Sequence, residues 1–277
     1  MSEEMNATGL AGGGDRRPPS NVVQLTGGSE PFGERRPVFI AGFGRGNTGK
    51  STGLRWMGED AIGSGRPVII GDCDRNNQTL TAFFGERVER PDQPDDDSVV
   101  TWLNVAVDNS VTNRGSVILD MGGGDLVFPR YASSLQLVSL LEDQGVRPVA
   151  LHFAGPALDD LSTLQDIEES CAFCPAATVI VLNAGLIRDT RAPDVAFRAV
   201  SEHPAFQAVE ARGAKVVVMP KLACMHEIER RRLMFADAQE GRVKPGQPPL
   251  GPTMRQMVAI WRRAMEAAFA PISEWLP

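Results

Sequence analysis

GRGNTGKST, the stretch at residues 44–52, has the form Gly-x4-Gly-Lys-Ser followed by a threonine. Its members are Gly44, Arg45, Gly46, Asn47, Thr48, Gly49, Lys50, Ser51 and Thr52. Glycines in this pattern let backbone N–H groups approach phosphate oxygens, while the lysine bridges phosphates and the serine hydroxyl coordinates Mg²⁺. An apolar run precedes the stretch and a segment with helical apolar spacing follows it. This order predicts a phosphate-binding loop between a strand and a helix.

Short apolar runs rich in β-branched residues recur along the chain after this point. They lie at 38–41, 68–70, 117–119, 149–151, 178–182 and 215–218. Continuous apolar strands are typical of a parallel sheet that is buried on both faces. Leu54, Met57, Ala61 and Ile62 are spaced to form one face of the first crossover helix. The sequence therefore predicts an α/β fold, a doubly wound and mostly parallel sheet with helices on both faces.

Length and composition fit one globular domain at 37–277 behind a flexible N-terminal tail at 1–36, which holds Gly and Pro clusters and little that could form a core. No apolar run is long enough to span a bilayer, and the N-terminus does not resemble a secretory signal. A cytoplasmic protein is therefore expected. The net charge is −7, but residues 201–277 hold 11 Lys and Arg against 8 Asp and Glu. An anionic partner would dock most easily on this C-terminal part.

Aspartates end two more of the apolar runs. Asp72 and Asp74 end the second run with one residue between them, so alternation points their side chains the same way. One carboxylate can hold metal-bound waters while the other faces an attacking water. Asp120 ends the third run and is followed by glycines at 122–124, a pattern typical of a Walker B site with a γ-phosphate sensor. The alternative is that Asp74 only caps a helix at 76–84 and Asp72 forms a turn.

These motifs resemble those of the ParA/MinD family of P-loop ATPases. Residues 45–51 resemble the family's modified Walker A loop, Lys-Gly-Gly-x-Gly-Lys-Ser/Thr, with Arg45 and Asn47 in place of the first Lys and the second Gly. Residues 72–78 are similar to its Asp-x-Asp motif, and Leu119-Asp120 resembles its Walker B. The resemblance covers roughly residues 37–225 and does not reach the tail or the C-terminal segment.

The resemblance implies ATP and Mg²⁺ as cofactors and a weak, partner-stimulated ATPase activity. It implies that Lys50 binds phosphates, that Ser51 binds the metal, and that Asp72 and Asp120 support the metal through water. It further implies that Asp74 positions or activates the hydrolytic water.

On the base side, the resemblance implies that Asn183 reads the base and that Met219 and Pro220 lie against the adenine. In relatives the signature lysine of the loop crosses a dimer interface to the partner's ATP, so Arg45 is expected to act across a dimer. The implied partners are a second copy of the chain, bound in an ATP-dependent homodimer, and DNA or a DNA-bound adaptor protein.

The implied function is an ATP-driven assembly switch in plasmid or chromosome partitioning, conjugative mobilisation or division positioning. Two alternatives stay open from the residues. One is a metabolic P-loop enzyme, such as an ATP-dependent ligase or a small-molecule kinase. The other is a nucleotide-binding adaptor without turnover.

Two further features are ambiguous in the sequence. Cys171 and Cys174 form a CxxC pair that Cys224 and His226 could complete into four zinc ligands, although buried or incidental cysteines explain them as well. The segment 254–272 has apolar residues at helical spacing with arginines opposite. This helix is expected to pack on the domain rather than to bind a membrane.

Overall fold

The computed structural model describes residues 35–75 and 77–277, so most of the expected tail lies outside the described residues. Arg36, at the end of that tail, is bound to the domain. Its guanidinium donates hydrogen bonds to the backbone carbonyls of Gly145 and Val146, at 3.2 and 3.0 Å. The contacts of the domain therefore include Arg36, the last residue of the expected tail.

The described residues form one seven-stranded sheet in which all neighbouring strands are parallel. In chain order the strands are β1 (Val38–Phe43), β2 (Val68–Asp72), β3 (Val88–Glu89), β4 (Ser116–Asp120), β5 (Arg147–Ala154), β6 (Ala177–Asn183) and β7 (Lys215–Met219). Their order in the sheet is β3-β2-β4-β1-β5-β6-β7. The predicted fold class is confirmed, and the six predicted strands are present. The two-residue edge strand β3 was not predicted.

Helices cover both faces of the sheet. They are α1 (Lys50–Gly63), α2 (Thr79–Phe84), α3 (Asp96–Thr112), α4 (Val127–Leu135), α5 (Leu137–Asp143), α6 (Ser162–Ser170), α7 (Pro193–Ala196), α8 (Arg198–Ser201), α9 (Pro204–Ala211), α10 (Met225–Arg231), α11 (Phe235–Glu240) and α12 (Pro252–Phe269). Short 3₁₀ turns lie at Gly85–Arg87, Leu158–Leu161, Ala184–Leu186 and Ala270–Trp275. The helix expected at 76–84 begins only at Thr79.

The central strand β1 shows why its sequence is apolar throughout. All six of its residues are buried. Val38 and Ile40 pack into the core on one face of the sheet, and Phe39 and Ala41 pack into the core on the other. Because successive side chains of a strand point to opposite faces, a strand covered on both faces has no position for a polar residue.

Helices α1 and α12 share one of these cores. Leu54, Met57 and Ala61 of α1 are buried as predicted. The buried residues of α12 are Val258, Trp261, Met265 and Phe269. The C-terminal helix therefore packs on the domain, as the sequence indicated. No helix in the described part of the chain is long and apolar enough to cross a bilayer.

Candidate nucleotide-binding site

The loop between β1 and α1 has a backbone that only certain residues can adopt. Gly49 has a φ of +92°, and a Cβ there would lie 2.1 Å from the Nδ2 atom of Asn183. Asn47 has a φ of +66°, a left-handed conformation that asparagine tolerates better than most residues. The asparagine that departs from the family pattern therefore occupies a conformation that a glycine would also adopt. Thr48 closes the loop by donating a hydrogen bond from Oγ1 to the Arg45 carbonyl, at 2.9 Å.

Helix α1 begins at Lys50, directly after this loop. The first N–H groups of an α-helix have no acceptor within the helix, and the helix dipole places partial positive charge there. Together with the loop backbone, this helix end can bind the oxygens of an anion such as a phosphate group.

Lys50 and Asp120 are brought together at the centre of the sheet. β1 and β4 are neighbours, with Gly42 opposite Asp120. The Lys50 ammonium pairs with Asp120 Oδ1, and both side chains are buried. The lysine expected to bind phosphate and the aspartate expected to act as the Walker B residue are therefore in contact, which agrees with their positions at the ends of neighbouring strands; their roles stay predictions.

Asp72 lies opposite Asp120 on the next strand, β2. Its Oδ2 accepts hydrogen bonds from the backbone N–H and the hydroxyl of Thr81, each at 2.8 Å. Burial raises the pKa of Asp72, and the nearby charge of Asp120 raises it further, while the bonds from Thr81 oppose the shift. These hydrogen bonds to Asp72 therefore connect α2 to the end of β2.

One oxygen of each of these carboxylates is still available to a ligand. Asp72 Oδ1 and Asp120 Oδ2 are buried and accept no hydrogen bond from the residues that the structure describes. A buried acceptor without a partner is costly, so it is normally satisfied by water or an ion. Carboxylate and hydroxyl oxygens with bound waters are the ligands that Mg²⁺ prefers. The carboxylates of Asp72 and Asp120, with the hydroxyl of Ser51 that follows Lys50 in α1, are therefore ligands of the kind that the expected Mg²⁺ requires.

Asp74 follows Asp72 by two residues and lines a cavity together with Lys50 and the phosphate loop. It is 8% exposed, and its Oδ1 accepts a hydrogen bond from the Asn77 N–H at 2.9 Å. The residue at the N-cap of α2 is Gln78, which makes no side-chain capping bond. Asp74 thus closes a short turn ahead of α2 and does not cap the helix itself.

Gly123, in the loop after β4, touches the phosphate loop. A Cβ at this position would lie 2.9 Å from the Gly46 nitrogen and 3.3 Å from the Arg45 carbonyl carbon. Both contacts are with backbone, which cannot rotate away as a side chain could. The two loops are therefore packed closely enough that only glycine fits at 123.

We expect Gly123→Ala to weaken binding of the expected nucleotide, MgATP, about tenfold, since overpacking of this kind costs roughly 1–3 kcal/mol and the phosphate loop must move to relieve it. Titration calorimetry measures the effect. Gly115→Ala is the matched control, because nothing lies within 4 Å of a Cβ there. Equal affinities for Gly123→Ala and the control would contradict the close packing of the two loops.

Asn183, at the end of β6, braces the phosphate loop. Its Nδ2 donates to the Thr48 carbonyl at 3.0 Å, and its Oδ1 accepts from the Gly185 N–H at 2.9 Å. Met219, at the end of β7, also lies against Gly49. The ends of β6 and β7 therefore contact the phosphate loop and support its conformation. Base recognition by Asn183 stays a prediction.

A cavity of about 430 Å³ joins these parts. Its lining comprises residues 45–52 of the loop with Asp74, Asn77, Thr79, Gly123, Asn183, Gly185, Leu186, Met219, Pro220, Lys221, Leu222, Met225, Glu229 and Trp261. Except for Gly44, Asp72 and Asp120, every residue that the sequence singled out for nucleotide or metal binding lines this cavity. Met225, Glu229 and Trp261 also line the cavity but were not predicted from the sequence to do so. In the sequence they are marked only by helical spacing, and this spacing is the same for residues that line a cavity and residues that are buried in a core.

The four candidate zinc ligands form two pairs in separate segments: Cys171 and Cys174 follow α6, whereas Cys224 and His226 lie at the start of α10. Cys171 follows α6 and is exposed, whereas Cys224 is the N-cap residue of α10 and is buried. Within residues 35–75 and 77–277, no three His, Cys, Asp or Glu side chains are grouped so as to hold a metal ion. The described structure therefore gives no support to a zinc site.

Comparisons with known proteins find distant structural similarity only. No protein-family model matches the chain, and no curated protein matches it. The signal recognition particle receptor FtsY from Elizabethkingia anophelis, in complex with GDP, is 15% identical, with 67% of this chain and 58% of that chain covered and a TM-score of 0.43. A chain of the MinC:MinD cell division protein complex of Aquifex aeolicus is 12% identical, with 82% and 95% covered and a TM-score of 0.45.

The class of this protein is defined by its own fold and site. A parallel sheet, a glycine-rich loop after its central strand and aspartates at the neighbouring strand ends together form a P-loop NTPase fold. This chain spans less than two thirds of the length of the FtsY chain in the GDP complex.

Proposed function

We propose that this protein is a nucleotide-dependent assembly switch of the ParA/MinD type, which binds ATP and hydrolyses it slowly. The observation that carries the proposal is the convergence of Lys50, Asp72, Asp74 and Asp120 at the carboxyl ends of adjacent parallel strands, where Lys50 and Asp74 line one cavity. The settings proposed are plasmid or chromosome partitioning, conjugative mobilisation, or division positioning.

In this proposal the chain binds the triphosphate through the loop backbone and Lys50. Mg²⁺ held by Ser51, and through water by Asp72 and Asp120, would neutralise phosphate charge. Lys50 leaves or shares its bond to Asp120 when it binds phosphate oxygens. Asp74 accepts a proton from, or orients, a water at the γ-phosphate. A hydrolysis rate that depends on this one carboxylate and its placement suits a switch, because hydrolysis sets the lifetime of the ATP-bound state.

The proposal that the nucleotide is ATP is supported by the part of the cavity formed by Asn183, Met219 and Pro220, which we call the base end of the site. Asn183, Met219 and Pro220 match the positions that contact adenine in the ParA/MinD family. The cavity wall there also contains Leu222 and Met225, apolar side chains that suit the face of a purine. Competition between ATP and GTP for the same site tests the choice, and tighter binding of GTP would overturn it.

Arg45 and two apolar residues support the proposed homodimer. The Arg45 side chain is 48% exposed, and its only ion pair among the described residues is with the 87% exposed Asp159, at 3.6 Å. Such surface pairs contribute about 0–1 kcal/mol, so the arginine is free to find another partner. Leu126 and Leu158 are 60% and 50% exposed and belong to segments that adjoin the phosphate loop. A second copy of the chain bound at this loop could cover both leucines.

We expect Arg45→Ala to bind ATP within about threefold of wild type, yet to lose ATP-driven dimerisation and the turnover that depends on it. Arg45→Lys keeps the positive charge and should retain dimerisation. Size-exclusion chromatography with a slowly hydrolysed ATP analogue, ADP and no nucleotide, at tens of micromolar protein, measures the effect.

Arg191→Ala is the matched control for Arg45→Ala. Arg191 is also exposed and paired with one surface aspartate, Asp189. Two results would count against a role across the dimer: wild-type protein that stays monomeric with the analogue, or an Arg45→Ala variant that loses ATP affinity as completely as a Lys50 variant.

Turnover assays with and without DNA separate the proposed switch from its rivals. Slow hydrolysis that DNA or a DNA-bound adaptor stimulates supports the switch. Tight ATP binding without hydrolysis under either condition points to an adaptor. Phosphate release that requires an added small-molecule acceptor points to a metabolic ligase or kinase.

A further inference from the structure

The C-terminal helix reaches the nucleotide cavity through one side chain, Trp261. The indole Nε1 of Trp261 donates a hydrogen bond to the backbone carbonyl of Pro220 at 2.8 Å, and the side chain forms part of the cavity wall. Trp261 is 3% exposed. A buried indole N–H normally finds an acceptor, and this one binds the loop that follows β7.

Three consecutive residues, from the last residue of β7 into the loop that follows it, contact other parts of the domain. Met219 lies against Gly49 of the phosphate loop, since its Cε is 3.0 Å from where a Gly49 Cβ would be. Pro220 accepts the bond from Trp261. Lys221 donates from Nζ to the Ile187 carbonyl at 3.2 Å. Of the hydrogen bonds to Pro220 and Lys221, the one at Pro220 comes from α12.

Trp261 is itself held by a buried cluster that includes the helix after the phosphate loop. Its ring centroid is 4.5 Å from that of Phe235. The Phe235 N–H donates to Glu59 at 2.8 Å, and the Phe235 ring lies 3.9 Å from the Arg55 guanidinium carbon. Arg55 and Glu59 belong to α1, which starts at Lys50. Burial lowers the pKa of Arg55 to about 10, so its guanidinium still carries its charge at neutral pH.

We propose that Trp261 is a positioning residue for the base end of the nucleotide site, so that the C-terminal helix forms part of that site. The inference rests on the proposed function, because it requires that the cavity takes a nucleoside triphosphate. Phe235 contacts both Trp261 and α1. The helix that binds the phosphates, α1, and the loop that contacts the base, after β7, are therefore both fixed to the same buried cluster. Trp261 thereby sets where Pro220 meets the base.

The test compares two ligands that share the triphosphate and differ in the base. Trp261→Phe removes the indole donor and leaves the Pro220 carbonyl without its partner. We expect its affinity for MgATP to fall about tenfold, and its affinity for magnesium tripolyphosphate to stay within about twofold of wild type. Competition against a fluorescent ATP analogue measures both affinities in each variant.

Trp102→Phe is the matched control. Trp102 is also buried, and it lies in the core on the opposite face of the sheet. We expect no change for either ligand in this variant. If Trp261→Phe loses affinity for both ligands equally, the residue is structural and the inference is wrong. The inference is also wrong if the variant binds MgATP as wild type does.

A second measurement follows the indole signals of wild-type protein during titration. The chain has four tryptophans, so ¹⁵N-tryptophan labelling gives four indole signals, which single Phe variants assign. The Trp261 signal should shift on addition of MgATP and stay unmoved with magnesium tripolyphosphate. An unmoved signal in both titrations overturns the inference even where ATP binds. Wild-type protein that binds neither ligand overturns the proposed function instead, and the inference falls with it.

Discussion

Substitution of Lys50 by alanine is expected to lower the affinity for MgATP at least about 100-fold. A lysine that bridges two phosphates makes two charge-assisted hydrogen bonds, each contributing roughly 1.5–3 kcal/mol, and every 1.4 kcal/mol is a factor of ten in affinity. Titration calorimetry gives the change directly. Unchanged affinity would remove the basis for the phosphate site.

The Lys50 variant also affects stability, because the residue pairs with Asp120. Asp120 is 0% exposed, so loss of its cation leaves a buried charge without compensation, at a cost of roughly 3–5 kcal/mol. The double variant Lys50→Ala/Asp120→Asn removes that charge. We expect it to recover much of the thermal stability and none of the ATP affinity. Recovery of affinity in the double variant would mean that Lys50→Ala had acted through misfolding alone.

Substitution of Asp74 by asparagine is expected to lower kcat for ATP hydrolysis at least about 100-fold, with ATP affinity within about threefold of wild type. Asparagine keeps the oxygen that accepts the Asn77 N–H, so the turn ahead of α2 is preserved. What it loses is the negative charge that takes a proton from, or orients, the water. The ATP-bound form should therefore accumulate, which single-turnover assays and chromatography both detect.

Asp95→Asn is the matched control for Asp74→Asn. Asp95 accepts a hydrogen bond from the backbone N–H three residues ahead, Ser98, at 2.8 Å, in the same relation as Asp74 and Asn77. It caps α3 and is expected to leave hydrolysis unchanged. Hydrolysis at the wild-type rate in Asp74→Asn would show that Asp74 is only a turn residue. Loss of affinity equal to the loss of rate would show that it binds the ground state.

The phosphate side of the site was predictable because each of its parts is a local pattern. Strand, loop and helix follow one another without a break from Val38 to Gly63. Asp72 and Asp120 each end a strand, and strand ends of a parallel sheet meet at one edge. The only long-range assumption was that these strands are neighbours. The sheet order, with β4 between β2 and β1, confirms it.

Arg55 shows where such reasoning fails. It stands between two apolar residues of α1, and an arginine on a helix normally faces solvent. Here its guanidinium lies between the rings of Phe83 and Phe235, at 3.8 and 3.9 Å, and Glu59 is close by. Two of these partners belong to other helices, so only packing between helices buries the charge.

The sequence by itself determined the fold class and the positions of the glycine-rich loop and the aspartates at strand ends, because residue order within one strand–loop–helix unit dictates their local geometry. Only the tertiary structure decided the other end of the cavity. Pro220 and Trp261 are 41 positions apart, and the bond between them forms when α12 packs against β7 and α11. No periodicity in α12 distinguishes a tryptophan buried in a core from one that lines a binding site. The difference lies in what packs opposite to it, and that is a property of the folded chain.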